Sequence, residues 1–199
     1  ALVNGKNPKN ISGVVSRDGL GFCDNGDANV IKSIDDLPYP ERKKIYGISE
    51  TEKAFVDVSY ICTIRGCPYR CNYCASPYSW KRDKTQYRSP ESVISEMKYV
   101  KENHWDTKKI YDFSASANTE PKQSLKIKDN TIVYFVDDVF TIKKERVKNI
   151  LRQMIDQSLH MDWKCEARTD HLDEEICDLM SKAGCNRVKL GIETGSDRI

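Results

Sequence analysis

No run of apolar residues in this 199-residue chain approaches the length that a bilayer crossing requires. The opening "ALVNGKNPKN" has neither a basic start nor an apolar stretch behind it, so no secretory leader is expected there. An excess of one charge is also missing. The 32 Lys and Arg against 30 Asp and Glu leave +2, which offers no general pull toward nucleic acid. Histidine is scarce: His104, His160 and His171 have no metal-ligand spacing among themselves or with the cysteines, and read as structural or surface residues. Together these absences predict a cytoplasmic protein with no membrane span and no nucleic-acid partner.

What the chain does have is a globular balance, 39% hydrophobic and 31% charged, and length for one domain with a true core or for part of a larger one. It also has eight cysteines, which in a short secreted chain would suggest four disulfides. Three of them, Cys67, Cys71 and Cys74 in "TIRGCPYRCNYCASP", crowd into eight positions, too tightly for ordinary bridging. A reducing compartment and metal ligation fit better. Cys23, Cys62, Cys165, Cys177 and Cys185 are scattered and read as small buried apolar side chains.

Two regions differ in texture. Residues 1–53 are rich in Gly, Asn, Asp and Pro; "SRDGLGFCDNGDANV" reads as a short hairpin and "DDLPYPERKK" as a proline-stiffened tether, so a linker is expected here. From residue 54 onward strands and helices alternate, with strands expected at 54–64, 131–140, 161–168 and 186–193. The first helix has Ser89 as its N-cap, Pro90 at its first position, and Val93, Met97 and Val100 on one face. The second groups Val147, Ile150, Leu151, Met154 and Ile155 behind a cap at Thr141. The third turns Ile176, Leu179, Met180 and Ala183 inward and stops at Gly184, and "TGSDRI" has the pattern of a further helix start. Such alternation predicts an α/β fold with parallel strands and right-handed crossovers. Residues 108–130 lie where a short loop would suffice and read as a partly mobile insertion with a solvated lysine face.

On a loop leaving a strand, three thiolates at spacings of three and two residues can point at one corner of a cubane cluster. A 4Fe-4S cluster is ordinarily held by four cysteines. Three protein ligands leave one iron open to a non-protein ligand, the logic that separates catalytic from structural zinc. The alternative is a closed zinc or iron-sulfur module, structural or electron-transferring, with Cys62 as fourth ligand. Against it, Cys62 lies within the strand run and no second CxxC pair completes a zinc ribbon.

With Tyr73 before the last cysteine, "GCPYRCNYCASP" resembles the cluster loop of radical S-adenosylmethionine (SAM) enzymes. "FVDDVFT", "CEARTDHLDEEICDLMSKAGC" and "VKLGIETGSD" resemble, in order and spacing, the second, third and fourth strand motifs of the branch that includes cobalamin-dependent members and methylthiotransferases. The resemblance implies a partial TIM-like (β/α)6 barrel, of which residues 54–199 would supply about four units, truncated on the C-terminal side. "ISGVVSRDGLGF" and "SIDDLPYPERKK" resemble the segment that joins an N-terminal cobalamin domain to the barrel. Residues 1–53 are therefore expected to be a connector following such a domain, which these 199 residues do not include.

The same resemblance implies that Cys67, Cys71 and Cys74 hold a 4Fe-4S cluster whose open iron is chelated by the methionyl group of SAM. One electron then cleaves SAM to methionine and a 5′-deoxyadenosyl radical. Cobalamin is the further cofactor to expect in the intact protein, with methyl transfer or rearrangement of a small-molecule or peptide substrate as the outcome. An electron donor such as flavodoxin or ferredoxin is implied as partner. A methylthiotransferase acting on RNA or protein is the competing member type, and near-neutral charge argues against RNA.

Tyr73 is implied beside the cluster with its backbone near the adenine, or else packs as a loop aromatic. Asp137 and Asp138 are implied at the methionyl amino group, at the end of the second strand. Glu166 and Arg168 share a strand face and need a partner there, either a zwitterionic ligand or a salt bridge. Glu193 is implied as acceptor from the ribose hydroxyls, or as a helix cap, with Gly191 and Gly195 permitting close backbone approach.

Overall fold

The computed structural model describes residues 5, 7–28, 31–40, 59–76, 85–102, 132–196 and 198. The chain divides into two compact units, Ala1–Ile34 and Asp35–Ile199. The boundary expected at residue 53, the insertion at 108–130 and His104 all fall outside the described residues.

The first unit is the expected hairpin: β1 (Val15–Asp18) pairs antiparallel with β2 (Gly21–Asp24), preceded by a 3-10 turn at Pro8–Asn10. The Asn25 amide ties the two together, donating to the carbonyls of Pro8 at 2.8 Å and Ile11 at 3.0 Å.

The second unit is built on a four-stranded parallel sheet. Its strands are β3 (Ser59–Ile61), β6 (Ile132–Phe135), β7 (Asp162–Ala167) and β8 (Cys185–Leu190), side by side in that order. Between β3 and β6 the chain also forms a small antiparallel pair, β4 (Ile64–Arg65) with β5 (Gln86–Tyr87). The expected strand over 54–64 is thus interrupted at Cys62 and Thr63, because the Thr63 backbone bonds to Asp137 and Arg88 instead of to a ladder.

Among the described residues, three helices follow the strands as the apolar spacing requires. In α1 (Pro90–Glu102), Val93, Ile94, Met97 and Val100 are buried, and the Ser89 hydroxyl caps the helix by accepting from Ser92 N–H at 3.1 Å. In α2 (Lys144–Asp156), Val147, Ile150, Leu151 and Met154 are buried. Its N-cap is Lys143, without a side-chain cap bond, rather than Thr141. In α3 (Glu174–Lys182), Ile176 and Met180 are buried, and Asp173 caps the helix by accepting from Ile176 N–H at 2.9 Å.

Gly184 ends α3 at φ 94°, a conformation that favours glycine, and a Cβ there would lie 2.4 Å from the Met161 carbonyl oxygen. The core lies between sheet and helices. Phe135 stacks on Phe140 at 4.8 Å between ring centres and meets Trp163 edge-on at 5.4 Å. The Trp163 indole N–H donates to the Ala183 carbonyl at 2.9 Å, so the largest core side chain is apolar in packing and still satisfied. After β8 the described residues 191–196 form no helix.

Along β7 burial alternates: Trp163, Cys165 and Ala167 are buried, while Lys164, Glu166 and Arg168 lie on the other, partly open face. Among the described residues, no helix is long and apolar enough to cross a membrane.

Candidate functional site

The cysteine loop begins at a knot of hydrogen bonds. Thr63 is fully buried; its N–H and hydroxyl donate to Asp137 at 2.6 and 2.5 Å, and Ile64 N–H donates to the same carboxylate at 2.8 Å. The Thr63 carbonyl accepts from Arg88 N–H at 2.9 Å and from Arg146 at 3.1 Å. Both Asp137 oxygens are therefore taken by the protein, and the residue implied at the methionyl amino group serves as the clamp that fixes the exit of β3. Burial pushes its carboxyl up, against these hydrogen bonds and the nearby Arg146 charge.

Beyond the knot, β4 leads through Gly66, at φ 90°, into the loop that carries Cys67, Cys71 and Cys74. Cys67 is buried, Cys71 and Cys74 are half-buried, and all three are free thiols. Burial pushes the Cys67 thiol up, and the charges of Asp138, Cys74 and Cys71 act in the same direction. A turn closed by Cys74 N–H donating to the Cys71 carbonyl at 3.1 Å separates the last two cysteines. Among the described residues, no three His, Cys, Asp or Glu side chains stand close enough to hold a metal ion. The loop thus gathers its thiols within one another's electrostatic field without closing them on a common centre.

Three contacts lay this loop across the carboxyl ends of the parallel strands. The Tyr69 hydroxyl meets His171 Nε2, beyond β7. Glu193, beyond β8, lies beside the exposed Tyr73 and raises its phenol. Ser76 donates its hydroxyl to Asp138, beyond β6. The carboxyl ends of parallel strands are where α/β folds place their ligands, because the connecting loops there can converge without disturbing the sheet.

His171 reaches the site although its spacing suggested only a structural or surface role. It is buried, with Nδ1 3.2 Å from the Thr141 hydroxyl and the ring 5.5 Å from Tyr69, and burial lowers its pKa. Thr141, expected as a helix cap, is fully buried as this partner of His171. The signal in the sequence was the "RTDHL" turn after β7, but nothing in it discloses that Tyr69 lies opposite.

Glu166 and Arg168 share a face as their alternation requires, but they do not pair. Glu166 Oε1 accepts from the Tyr134 hydroxyl at 2.6 Å and from Lys189 at 2.9 Å. Burial works to raise this carboxyl; the Tyr134 and Lys189 bonds outweigh it and hold it below the ordinary value. The Tyr134 hydroxyl is pushed up to about 12, by burial and then by Glu166. Arg168 forks onto Asp170 with two bonds of 2.9 Å, and its guanidinium lies 4.2 Å from the centre of the Tyr69 ring.

Glu193 sits at φ 61° in a three-residue turn in which Thr194 N–H donates to the Ile192 carbonyl at 2.7 Å. Its side chain folds back over Gly191, where a Cβ would lie 2.9 Å from Oε1, whereas nothing approaches the corresponding point at Gly195. Cys62, the alternative fourth ligand, donates its thiol to the Ile64 carbonyl at 3.1 Å. The residue as a whole is exposed, yet loss of solvent around the sulfur, followed by the Asp137 charge, pushes the thiol up to about 11.

The fold and the site define an α/β protein with a three-cysteine loop over the carboxyl edge of a parallel sheet. The sequence profile of the Radical SAM superfamily matches residues 61–199, and the chain belongs to that family. Among curated proteins it is similar to an uncharacterized methyltransferase, PH0819, of Pyrococcus horikoshii, with 26% identity over 190 residues covering 91% of this chain and 35% of that one. It is also similar to an uncharacterized methyltransferase, sll1242, of Synechocystis, with 28% identity over 135 residues, 65% of this chain and 20% of that one. The chain therefore spans about a third or less of the curated relatives it matches.

Among solved structures, it shares its fold with the radical SAM methyltransferase TsrM from Kitasatospora setae. The form with tryptophan substrate and a SAM analog bound matches with a TM-score of 0.66 and 18% identity, covering 100% of this chain and 35% of that chain. The form with cobalamin and a [4Fe-4S] cluster bound gives 0.64 and 17%, covering 96% and 35%.

Proposed function

We propose that this chain is the core of a radical SAM methyltransferase, in which Cys67, Cys71 and Cys74 hold a 4Fe-4S cluster and SAM binds at the iron they leave open. The observation that carries the reading is the cysteine loop fastened to residues beyond β6 and β7 through Ser76 and Tyr69, with Tyr73 beside Glu193 beyond β8. The donor set fits the cluster in kind, being three free thiols on one loop, with the buried Cys67 as the fixed point. Assembly would draw the half-buried Cys71 and Cys74 toward it, so metal binding and local ordering are one event. When bound, the cluster supplies the electron that cleaves the sulfonium of SAM.

The remaining residues have distinct tasks in this reading. Asp137 positions the loop from below, and Asp138 and Tyr73 stand at its rim. Glu166, Arg168 and Glu193 offer charged groups to the amino, carboxylate and ribose parts of SAM. We read the four-stranded sheet as about four units of a partial (β/α)6 barrel, which the parallel strand order and the shared fold with TsrM support. Methyl transfer is favoured by the methyltransferase names of the relatives, and cobalamin as second cofactor by the TsrM form that binds it. The substrate would be a small molecule or peptide, and the reductant a flavodoxin or ferredoxin.

Anaerobic reconstitution tests the reading. Iron and sulfide should each approach four per chain, the cluster EPR should change when SAM is added, and Cys67→Ala, Cys71→Ala or Cys74→Ala should each abolish assembly while Cys62→Ala does not. A single tightly held zinc ion, or an EPR spectrum indifferent to SAM, would overturn it.

A further inference from the structure

We propose that the open face of the sheet holds a site for a small oxyanion, a carboxylate or phosphate group of the substrate, gripped by Lys164 and Arg187 beside a shelf formed by Tyr60 and Tyr134. These four residues are successive Cα partners across β3, β6, β7 and β8, so they form one rung of the sheet. The next rung, Ile61, Phe135, Cys165 and Val188, belongs to or packs on the core, and strand alternation turns the tyrosine and cation rung the other way. The rings of Tyr60 and Tyr134 lie 5.9 Å apart, and Lys164 Nζ sits 4.5 Å from the centre of the Tyr134 ring.

The charges on this face do not balance. Of the two carboxylates on this face of β7, Glu166 in the rung beyond is engaged by Lys189 and the Tyr134 hydroxyl, and Asp162 in the rung before makes no ion pair with Lys164 or Arg187 among the described residues. Lys164 and Arg187, directly opposite each other, have no acidic partner among the described residues. Like charges facing across a strand pair repel, and in this case one of them, Lys164, is also half-buried. Burial, followed by the Arg187 charge, lowers the affinity of Lys164 for its proton. An oxyanion between the two replaces that repulsion with charge-assisted hydrogen bonds, and the tyrosine rings supply an apolar wall for the group that bears it.

The position suits a substrate anchor. Arg168, at the carboxyl end of the strand, lies four positions beyond Lys164, about 13 Å of extended chain. A molecule of moderate size held by its oxyanion on this rung would therefore present its far end to the cysteine loop. The site rests on the proposed function only for its role as substrate anchor; the rung exists with or without a cluster.

The test is a ligand-observed NMR titration of the full, iron-free chain with benzoate, phenyl phosphate and the neutral benzamide. One or both anions should bind, with the tighter identifying carboxylate or phosphate as the natural group, and benzamide should bind at least about ten-fold more weakly. The Lys164→Gln/Arg187→Gln variant should lose about ten-fold or more in anion affinity, and Lys164→Arg/Arg187→Lys should stay within about three-fold. Absence of anion binding, equal binding of benzamide, or equal affinity in the double Gln variant would overturn the site. Because no iron is present, this outcome and that of cluster reconstitution are independent.

Discussion

Asp137 and Thr63 are joined twice across 74 positions of sequence, once through the threonine N–H and once through its hydroxyl. The pairing welds the end of β6 to the start of the cysteine loop, so loop geometry depends on a residue outside that loop. Asp137→Ala would leave buried donors at Thr63 and Ile64 unpaired and should cost about 3 kcal/mol in urea unfolding. Asp137→Asn keeps an acceptor for the two backbone N–H groups and should cost about half as much. Similar losses for the two variants would show that the bonds do not govern the cost.

Tyr69 fastens the loop between Cys67 and Cys71 through His171 and Arg168. Tyr69→Phe keeps the ring under the guanidinium and removes only the hydroxyl bond, a loss of about 1 kcal/mol. Loosening of the loop should expose the buried Cys67 thiol, read as faster alkylation by iodoacetamide in the apo protein, with Cys177 as an internal reference because it is already exposed. Unchanged Cys67 alkylation would mean that the hydroxyl does not hold the loop.

Gly184→Ala should destabilise the fold by about 3 kcal/mol, since the new Cβ meets the Met161 carbonyl oxygen at 2.4 Å on a backbone already at φ 94°. Chemical denaturation decides it. A loss below about 0.5 kcal/mol would mean that the β7 edge shifts freely to accommodate the methyl.

The Lys144 ammonium, followed by the Ile176 N–H, holds the Asp173 carboxyl below the usual range. A carboxyl lowered in the folded state contributes stability above its unfolded pKa of about 3.9 and loses it as pH falls through the folded value. Wild type should therefore have a higher Tm than Asp173→Asn at pH 6, with the gap closing below about pH 4. Asparagine keeps the cap acceptor, so a gap that persists in acid would assign the difference to capping and not to charge.

Much of this fold is legible residue by residue. Ser89, Pro90, the α1 and α2 apolar stripes and the stop at Gly184 are local signals, and each stands where capping and periodicity put it. The three cysteines and Tyr73 stand out by their spacing, and it is their resemblance to a cluster loop that suggests a chemistry. Cross-strand relations are what the sequence hides. Glu166 and Arg168 are two apart on β7, yet one answers to β6 and β8 and the other to the loop, because sheet order and register choose their partners. Thr141 has the look of a cap and His171 that of a bystander; only the fold reveals that they face each other.

The alternation along β7 has a consequence for how the chain avoids misassembly. A slip of one residue against β6 or β8 would drive Lys164, Glu166 and Arg168 into the space filled by Trp163, Cys165 and Ala167, and would strand the indole in water. Three charges forced into an apolar layer make that alternative far costlier than any single lost contact. The side chains that would greet a ligand therefore also act as proofreaders, penalising every neighbouring registration of the strand that carries them.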